Sequence, residues 1–255
     1  MNMQDKVKKL INKFIITYKN SIHAREFWTE PLIAFADAND PLFLKLKQTI
    51  IMGHKLPIEV LDNAATVISY FIPFTNEVVS SNNNKGSASK DWAISYIETN
   101  KLINKLNEFL ANKLIEDSFD AVIIPPTHNF DKNLLVSHWS HKHVAYIAGL
   151  GKFGLHKMII TEKGCCGRLG SLVTSAKIEI TKRLEKEYCL YFHNKSCMKC
   201  LEKCVFDSLK INTFDRHKCY KVCLKNSQLY TNLGLADVCG KCACGVPCSL
   251  KNPVK

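Results

Sequence analysis

Apolar residues at Val7, Leu10, Ile11, Phe14, Ile15 and Tyr18 recur at three- and four-residue intervals, which predicts an amphipathic first helix. The same period runs from Asp91 to Asp117, through Trp92, Tyr96, Leu102, Ile103, Leu106, Leu110 and Leu114, and predicts a long second helix. Between them, Ala65–Pro73 (ATVISYFIP) is an apolar run of strand length, the pattern of a buried strand. Asp120–Pro125 reads as another strand, stopped by Pro125–Pro126. Residues 78–89 (VVSSNNNKGSAS) are polar and turn-rich and predict a surface loop. Trp139–Ala148 predicts a short helix leading into GLGKFG. Lys157–Thr161 and Ser171–Thr174 predict two further strands around a glycine-rich turn, KGCCGRLG.

These elements describe an α/β domain over residues 1–180. From about Ile180 the pattern changes: apolar runs shorten, and Lys and Cys dominate. A segment this poor in apolar residues needs a staple, and bound metal clusters can provide it. Residues 181–255 are therefore expected to form a second, smaller domain.

All 12 cysteines lie at or beyond position 165. The N-terminus has lysines on both sides of a short apolar stretch and no small-residue cleavage site, so no secretory signal is expected. No apolar run approaches the ~20 residues of a membrane span. The expected location is the cytoplasm, with no membrane partner, where thiols stay reduced and short-spaced Cys groups read as metal ligands. The formal charge of +12 admits a nucleic acid, an anionic surface, an acidic protein partner or simply a solvated Lys-rich face. Eight ligand thiolates and two clusters of core charge +2 would leave roughly +8.

The first Cys group is Cys189-x7-Cys197-x2-Cys200-x3-Cys204; the second is Cys219, Cys239-x2-Cys242 and Cys248, with Cys223 and Cys244 nearby. The ferredoxin run is C-x2-C-x2-C-x3-C-P, and its fourth Cys serves the other cluster in two-cluster proteins. Cys197, Cys200 and Cys204 fit it. Asn194 stands where its first Cys would be, and Cys189 takes that place across a longer loop, at little entropic cost. The spacing therefore predicts two 4Fe–4S clusters: cluster A on Cys189, Cys197, Cys200 and Cys248, and cluster B on Cys204, Cys219, Cys239 and Cys242. Structural zinc also uses C-x2-C pairs, although C-x2-C-x3-C is a ferredoxin spacing. Cys165, Cys166, Cys223 and Cys244 read as buried thiols, and Cys223 or Cys244 could replace a chosen ligand.

Gly149-x-Gly151-x-x-Gly154 matches a dinucleotide fingerprint in the wrong context, because a helix precedes it and an extended segment follows. Its glycines are expected to admit close backbone approach by another element or a cofactor. The segment from Thr127-His-Asn-Phe to Ser137-His-Trp-Ser-His-Lys-His143 is dense in imidazoles and hydroxyls. His138, His141 and His143 could hold a metal, move protons or contact a polar cofactor, or be ordinary satisfied histidines.

The order Ala148-Gly-Leu-Gly151-x-x-Gly154, a strand, Gly167-Arg-x-Gly-Ser171 with Val173-Thr174, and then two ferredoxin-like Cys groups resembles epoxyqueuosine reductase. That enzyme and the reductive dehalogenases join a cobalamin-binding, nitroreductase-like domain to a two-cluster ferredoxin-like module. The likeness covers roughly residues 55 to 250 and is closest to short, stand-alone relatives. It implies a corrinoid (cobalamin) against the α/β domain, contacted by His143, Gly149, Gly151, Gly154, Gly167, Arg168, Gly170 and Ser171. The family's acidic proton donor would fall near Leu135, and Asp131 is out of register, so His138 and His141 are the catalytic candidates. The expected activity is a cobalamin-dependent reductase receiving single electrons from ferredoxin or flavodoxin and passing them to a small molecule, a tRNA or a corrinoid protein. The alternatives are a non-catalytic 4Fe–4S carrier, or reductive activator of a partner corrinoid protein, and a basic tRNA-binding protein with structural clusters. A cofactor-sized cavity over GLGKFG separates the first reading from the second.

Overall fold

The computed structural model describes residues 2–21, 26–128 and 130–254. Asn129 of the histidine-rich segment lies outside them. In chain order the elements are α1 (Met3–Ser21), β1 (Leu32–Asp37), α2 (Pro41–Lys45, running into a π-helical turn at Leu46–Ile50), α3 (Pro57–Val60), β2 (Thr66–Pro73), α4 (Asn76–Ser81), α5 (Lys90–Glu116), β3 (Ala121–Ile123), β4 (Phe130–Asp131), β5 (Val136–Ser137), α6 (His141–Ile147), β6 (Gly151–Phe153), β7 (Ile159–Thr161), β8 (Gly167–Thr174), α7 (Leu190–Asn194), α8 (Lys199–Glu202) and α9 (Arg216–Leu229).

Four strands form an antiparallel sheet in the order β1-β2-β8-β3. All eight residues of β2 are buried, as its unbroken apolar run demands of a central strand. Side chains alternate between faces. Ile68, Tyr70 and Ile72 join the core under α1 and α5, whereas Val67 and Phe71 join the core under α2 and α6. The stripe predicted on α1 is buried at Val7, Ile11, Ile15 and Tyr18. Ser89 caps α5 by accepting the Trp92 N–H. The mixed α/β expectation holds, with an all-antiparallel main sheet.

Two local expectations are corrected. Residues 78–89 are a surface loop only in their middle, where 83–87 are exposed turns. The chain stays helical through Ser81 and buries Val78, Val79, Asn82 and Ala88. Asn82 Nδ2 donates to the Cys239 carbonyl at 2.9 Å, so the Cys-rich segment covers a stretch that its own composition would leave wet. Nor is KGCCGRLG a turn throughout, because Gly167–Gly170 are the first half of β8. A side chain at Gly170 would meet the Tyr70 ring at 2.4 Å, and one at Gly167 the Ile72 carbonyl at 2.3 Å.

Beyond β8 the chain lies along the sheet edge, where Thr181 exchanges two hydrogen bonds with Phe35 of β1. The Cys-rich segment then enters the core that holds α1 and α5. Tyr188, Cys189, Cys200, Leu209, Val238 and Cys244 share one continuous cluster with Trp92, Ala93 and Tyr96.

Candidate functional site

Cys189 is the N-cap of α7, and Lys195, left-handed at φ 62°, turns the chain back towards Cys197. Cys200 is buried within α8. These three thiols and Cys248 line one small cavity with Leu155, His156, Val246, Pro247 and Pro253. Burial, then the neighbouring thiols, push Cys200 up to about 12. The hydrogen bond with the Cys165 thiol, then burial, push Cys248 up as well.

Asp215 caps α9 by accepting the Lys218 N–H at 2.8 Å, which starts the helix one turn before Cys219. Cys219 and Cys223, four residues apart, share a helix face. Cys204, Cys219, Cys223, Cys239 and Cys242 line a second cavity of about 450 Å³. The Cys223 thiol bonds the Cys219 sulfur and holds it down to about 7, while Cys223 itself is pushed up. Burial pushes Cys239 and Cys242 up.

The facing wall of this cavity includes a polar group centred on Tyr96 and Asp237, neither of which the sequence flagged as a site residue. Tyr96 Oη donates to Asp237 Oδ1 at 2.9 Å and lies 3.1 Å from Thr127 Oγ1. The Arg168 guanidinium sits over the Tyr96 ring, 4.3 Å from its centroid, and donates to Asn100 Oδ1 at 2.9 Å. His128 Nε2 is 3.5 Å from Asp237. Arg168 and the Thr127–His128 segment carried a sequence signal; Tyr96, inside an apolar helical stripe, reads as core, and Asp237 carried none.

A third cavity, about 950 Å³, opens over Lys152, Phe153 and Gly154 of the GLGKFG segment. That is the upper end of small-molecule sites. Its walls carry Lys45, Lys142, Lys157, Arg216 and His143 beside Leu46, Ile51 and Phe192. His143 bonds Ser140 Oγ through Nδ1 at 2.8 Å and packs on Phe153; burial, then the adjacent Lys142 charge, hold it down to about 3.

The other two histidine candidates have different surroundings. His141 Nε2 donates to the Pro125 carbonyl, and its Nδ1 accepts from Ser171 Oγ, both at 2.8 Å. Ser171 Oγ in turn accepts from Trp139 Nε1 at 2.9 Å. Both ring nitrogens are engaged, and burial holds the ring neutral, down to about 4. His138 is exposed and bonds the Gly53 carbonyl through Nδ1 at 3.3 Å. His54, which sequence reasoning missed, is buried against Trp139 and accepts the Ser140 N–H at the start of α6.

The residues that the resemblance set against a cofactor are not gathered in one place. His143 and Gly154 line the large cavity, and Gly167 and Arg168 line the second one. Gly149 and Gly151 border a narrow crevice beside Arg183 and Tyr188. Gly170 and Ser171 are buried in β8. Most of these glycines make room for protein: a Cβ on Gly151 would lie 2.1 Å from the Ile160 carbonyl, and one on Gly154 would lie 2.6 Å from the His156 ring.

Of the remaining cysteines, Cys165, Cys166 and Cys244 are fully buried. Cys166 Sγ donates to the Ala243 carbonyl at 3.1 Å, and Cys244 Sγ accepts from Asn82 Nδ2 at 3.5 Å. Cys165, His156 and Cys248 bring their ligand atoms within 4.8 Å of one another.

No protein-family model matches the sequence, and no curated protein does. Solved structures do match. Epoxyqueuosine reductase from Streptococcus thermophilus is 16% identical with a TM-score of 0.57, over 100% of this chain and 69% of that one. The Bacillus subtilis enzyme, solved with its catalytic aspartate loop swung out, is 17% identical with a TM-score of 0.54, over 95% of this chain and 66% of that one. The catabolic reductive dehalogenase NpRdhA in complex with 3-bromo-4-hydroxybenzoic acid is 15% identical with a TM-score of 0.63, over 88% of this chain and 30% of that one. The chain thus spans about two thirds of the reductases' length and under a third of the dehalogenase's. The likeness its motifs suggest is therefore met in three dimensions: this chain has the fold shared by epoxyqueuosine reductases and reductive dehalogenases.

Proposed function

We propose that the protein is an iron–sulfur reductase with two 4Fe–4S clusters, A on Cys189, Cys197, Cys200 and Cys248, and B on Cys204, Cys219, Cys239 and Cys242. The observation that carries the reading is the sorting of these cysteines. Members far apart in the chain meet around two cavities, and each cavity draws on both Cys groups. All-thiol donor sets in apolar surroundings suit such clusters. Burial holds up the Cys200, Cys239 and Cys242 thiols, so a metal is what would keep these three as thiolates. Cys223 stands against Cys219 as a neighbour that can donate to it.

The clusters supply one-electron transfer, and a corrinoid supplies a nucleophilic reduced metal. The residues here fit such a cofactor in one respect: the cavity over Lys152–Gly154 has the size and the mixed apolar and cationic walls for a large ligand. His143 and Gly154 would contact it. Lys45, Lys142, Lys152 and Lys157 would face its polar periphery. His138, exposed beside Ser137 of that wall, is the proton source in this reading; His141 serves only when one of its two hydrogen bonds opens. The basic surface would attract an acidic ferredoxin or flavodoxin as donor.

The rival reading, an electron carrier or reductive activator of a partner corrinoid protein, draws support from Gly151 and Gly154, whose open sides are filled by protein. One experiment separates them. Protein purified anaerobically from iron-replete cells is assayed for metals and titrated with cobalamin. About eight irons and saturable one-to-one cobalamin uptake support the reductase. About eight irons without uptake move the assignment to the carrier. Zinc in place of iron overturns both.

A further inference from the structure

His156 touches the first thiol group and has no part in the scheme above. It is 4% exposed, and its Nε2 lies 3.4 Å from Cys248 Sγ. With Cys165 it forms a three-donor group that could itself be a metal site. The far side of the ring decides between ligand and hydrogen-bond donor. The Met158 backbone N–H points at His156 Nδ1 at 3.1 Å. An N–H can only donate, so Nδ1 is the unprotonated nitrogen and the neutral ring carries its proton on Nε2. A histidine that binds metal through Nε2 needs that nitrogen free and its proton on Nδ1. Here the backbone blocks that tautomer. The ring is also fixed in place, because it packs on Gly154 where a Cβ would come within 2.6 Å of it. The third glycine of GLGKFG is thus explained by the seating of this imidazole.

We propose that His156 is a positioning residue that donates Nε2–H to the sulfur of Cys248 and thereby raises the reduction potential of cluster A. The inference rests on the cluster reading given above. A reduced cluster carries one more negative charge than an oxidised one, and part of that charge resides on the ligand sulfurs. A buried donor aimed at one of them therefore stabilises the reduced form more. His156 also borders the cavity lined by Cys204, Cys219, Cys239 and Cys242, but its Nε2 is directed at Cys248 Sγ, 3.4 Å away. The effect should therefore fall chiefly on cluster A.

The test is an EPR-monitored redox titration of anaerobically purified wild type, His156→Leu and His156→Gln, with iron counted in each. Wild type lacking iron–sulfur signals sinks the cluster reading itself, before any variant is compared. Given two signals, His156→Leu is expected to keep about eight irons and to lower one midpoint while leaving the other in place. At a fixed potential, the reduced-to-oxidised ratio at that cluster should fall on the order of tenfold, about 59 mV for a one-electron couple. His156→Gln, which keeps an N–H, should restore most of the shift. Unchanged midpoints in His156→Leu overturn the proposal. So does loss of about four irons in both variants, which marks His156 as a ligand. Protein carrying ¹⁵N-histidine gives a second readout, independent of how well a variant loads. Weak nitrogen coupling to a reduced cluster supports the donor; coordination-strength coupling, or none, overturns it.

Discussion

His138, His141 and His143 sit within six residues of one another and meet three different environments. One is exposed, one spends both nitrogens on Ser171 and Pro125, and one faces the large cavity. The last two are held neutral, down to about 4 and about 3, chiefly by burial. An unfolded histidine titrates near 6.5. Between that pH and about 4, the unfolded chain takes up protons that folded His141 refuses, so stability is complete above about 6.5 and falls as the solution is acidified. The slope is up to about 1.4 kcal/mol per pH unit for each such histidine. Urea midpoints at pH 7, 6 and 5 should fall steadily, and His141→Asn should show a shallower fall. Equal slopes in the two proteins would remove His141 from this account.

Two elements are held by contacts that single substitutions can probe. Gly151 opens β6, directly against the Ile160 carbonyl of β7, 2.1 Å from where a Cβ would stand. Gly151→Ala must push the hairpin apart and is expected to cost about 1–3 kcal/mol. At this chain length that lowers Tm by roughly 2–4 °C per kcal/mol. In α5, Asn107 is buried in the helix's apolar face. It accepts from Tyr70 Oη at 2.7 Å and donates to the Ile124 carbonyl at 3.3 Å, tying the helix to the central sheet and to the end of β3. Asn107→Leu would leave the Tyr70 hydroxyl unpaired in the core and should cost about 1–3 kcal/mol, read as a lower urea midpoint with an unchanged m-value. Strand β6 was read only as part of GLGKFG, whereas helix α5 and strand β2 were visible in the sequence, one by its period and the other by its unbroken apolar run. The polar tie was not, because Asn107 takes its meaning from a tyrosine on another strand.

For the whole molecule, the Cys-rich segment is part of the main core, and on the proposed function it would also depend on the clusters its thiols hold. It contributes few large apolar side chains, so cluster loss should open it first. Iron removed anaerobically by a chelator is expected to expose residues 189–250 to limited proteolysis, while the sheet of β1, β2, β8 and β3 stays protected. Because Asn82 and Lys241 link α4 and its following turn to this segment, the 82–89 stretch should lose protection with it. Hydrogen exchange with and without iron checks this, and uniform loss across the chain would contradict it. Among the described residues, no helix is long and apolar enough to cross a membrane.

The sequence by itself determined what short-range physics encodes. Period 3.6 made α1 and α5 helices, an unbroken β-branched and aromatic run made β2 a central strand, and Cys-x2-Cys spacing set pairs of thiols side by side. Each follows from residues a few positions apart. Tertiary structure decided everything that needs distant segments to meet. It brought Cys248 to Cys189, Cys197 and Cys200, and buried Val78, Val79, Asn82 and Ala88 at the two ends of a polar stretch. It filled the space beside Gly151, Gly154 and Gly170 with protein, and set Tyr96 and Asp237 together across 141 positions. It also fixed the tautomer of His156 through a backbone N–H two residues on, a local bond whose consequence appears only because Cys248 arrives on the other side. Burial and convergence are properties of packing, and no spacing rule along a single chain contains them.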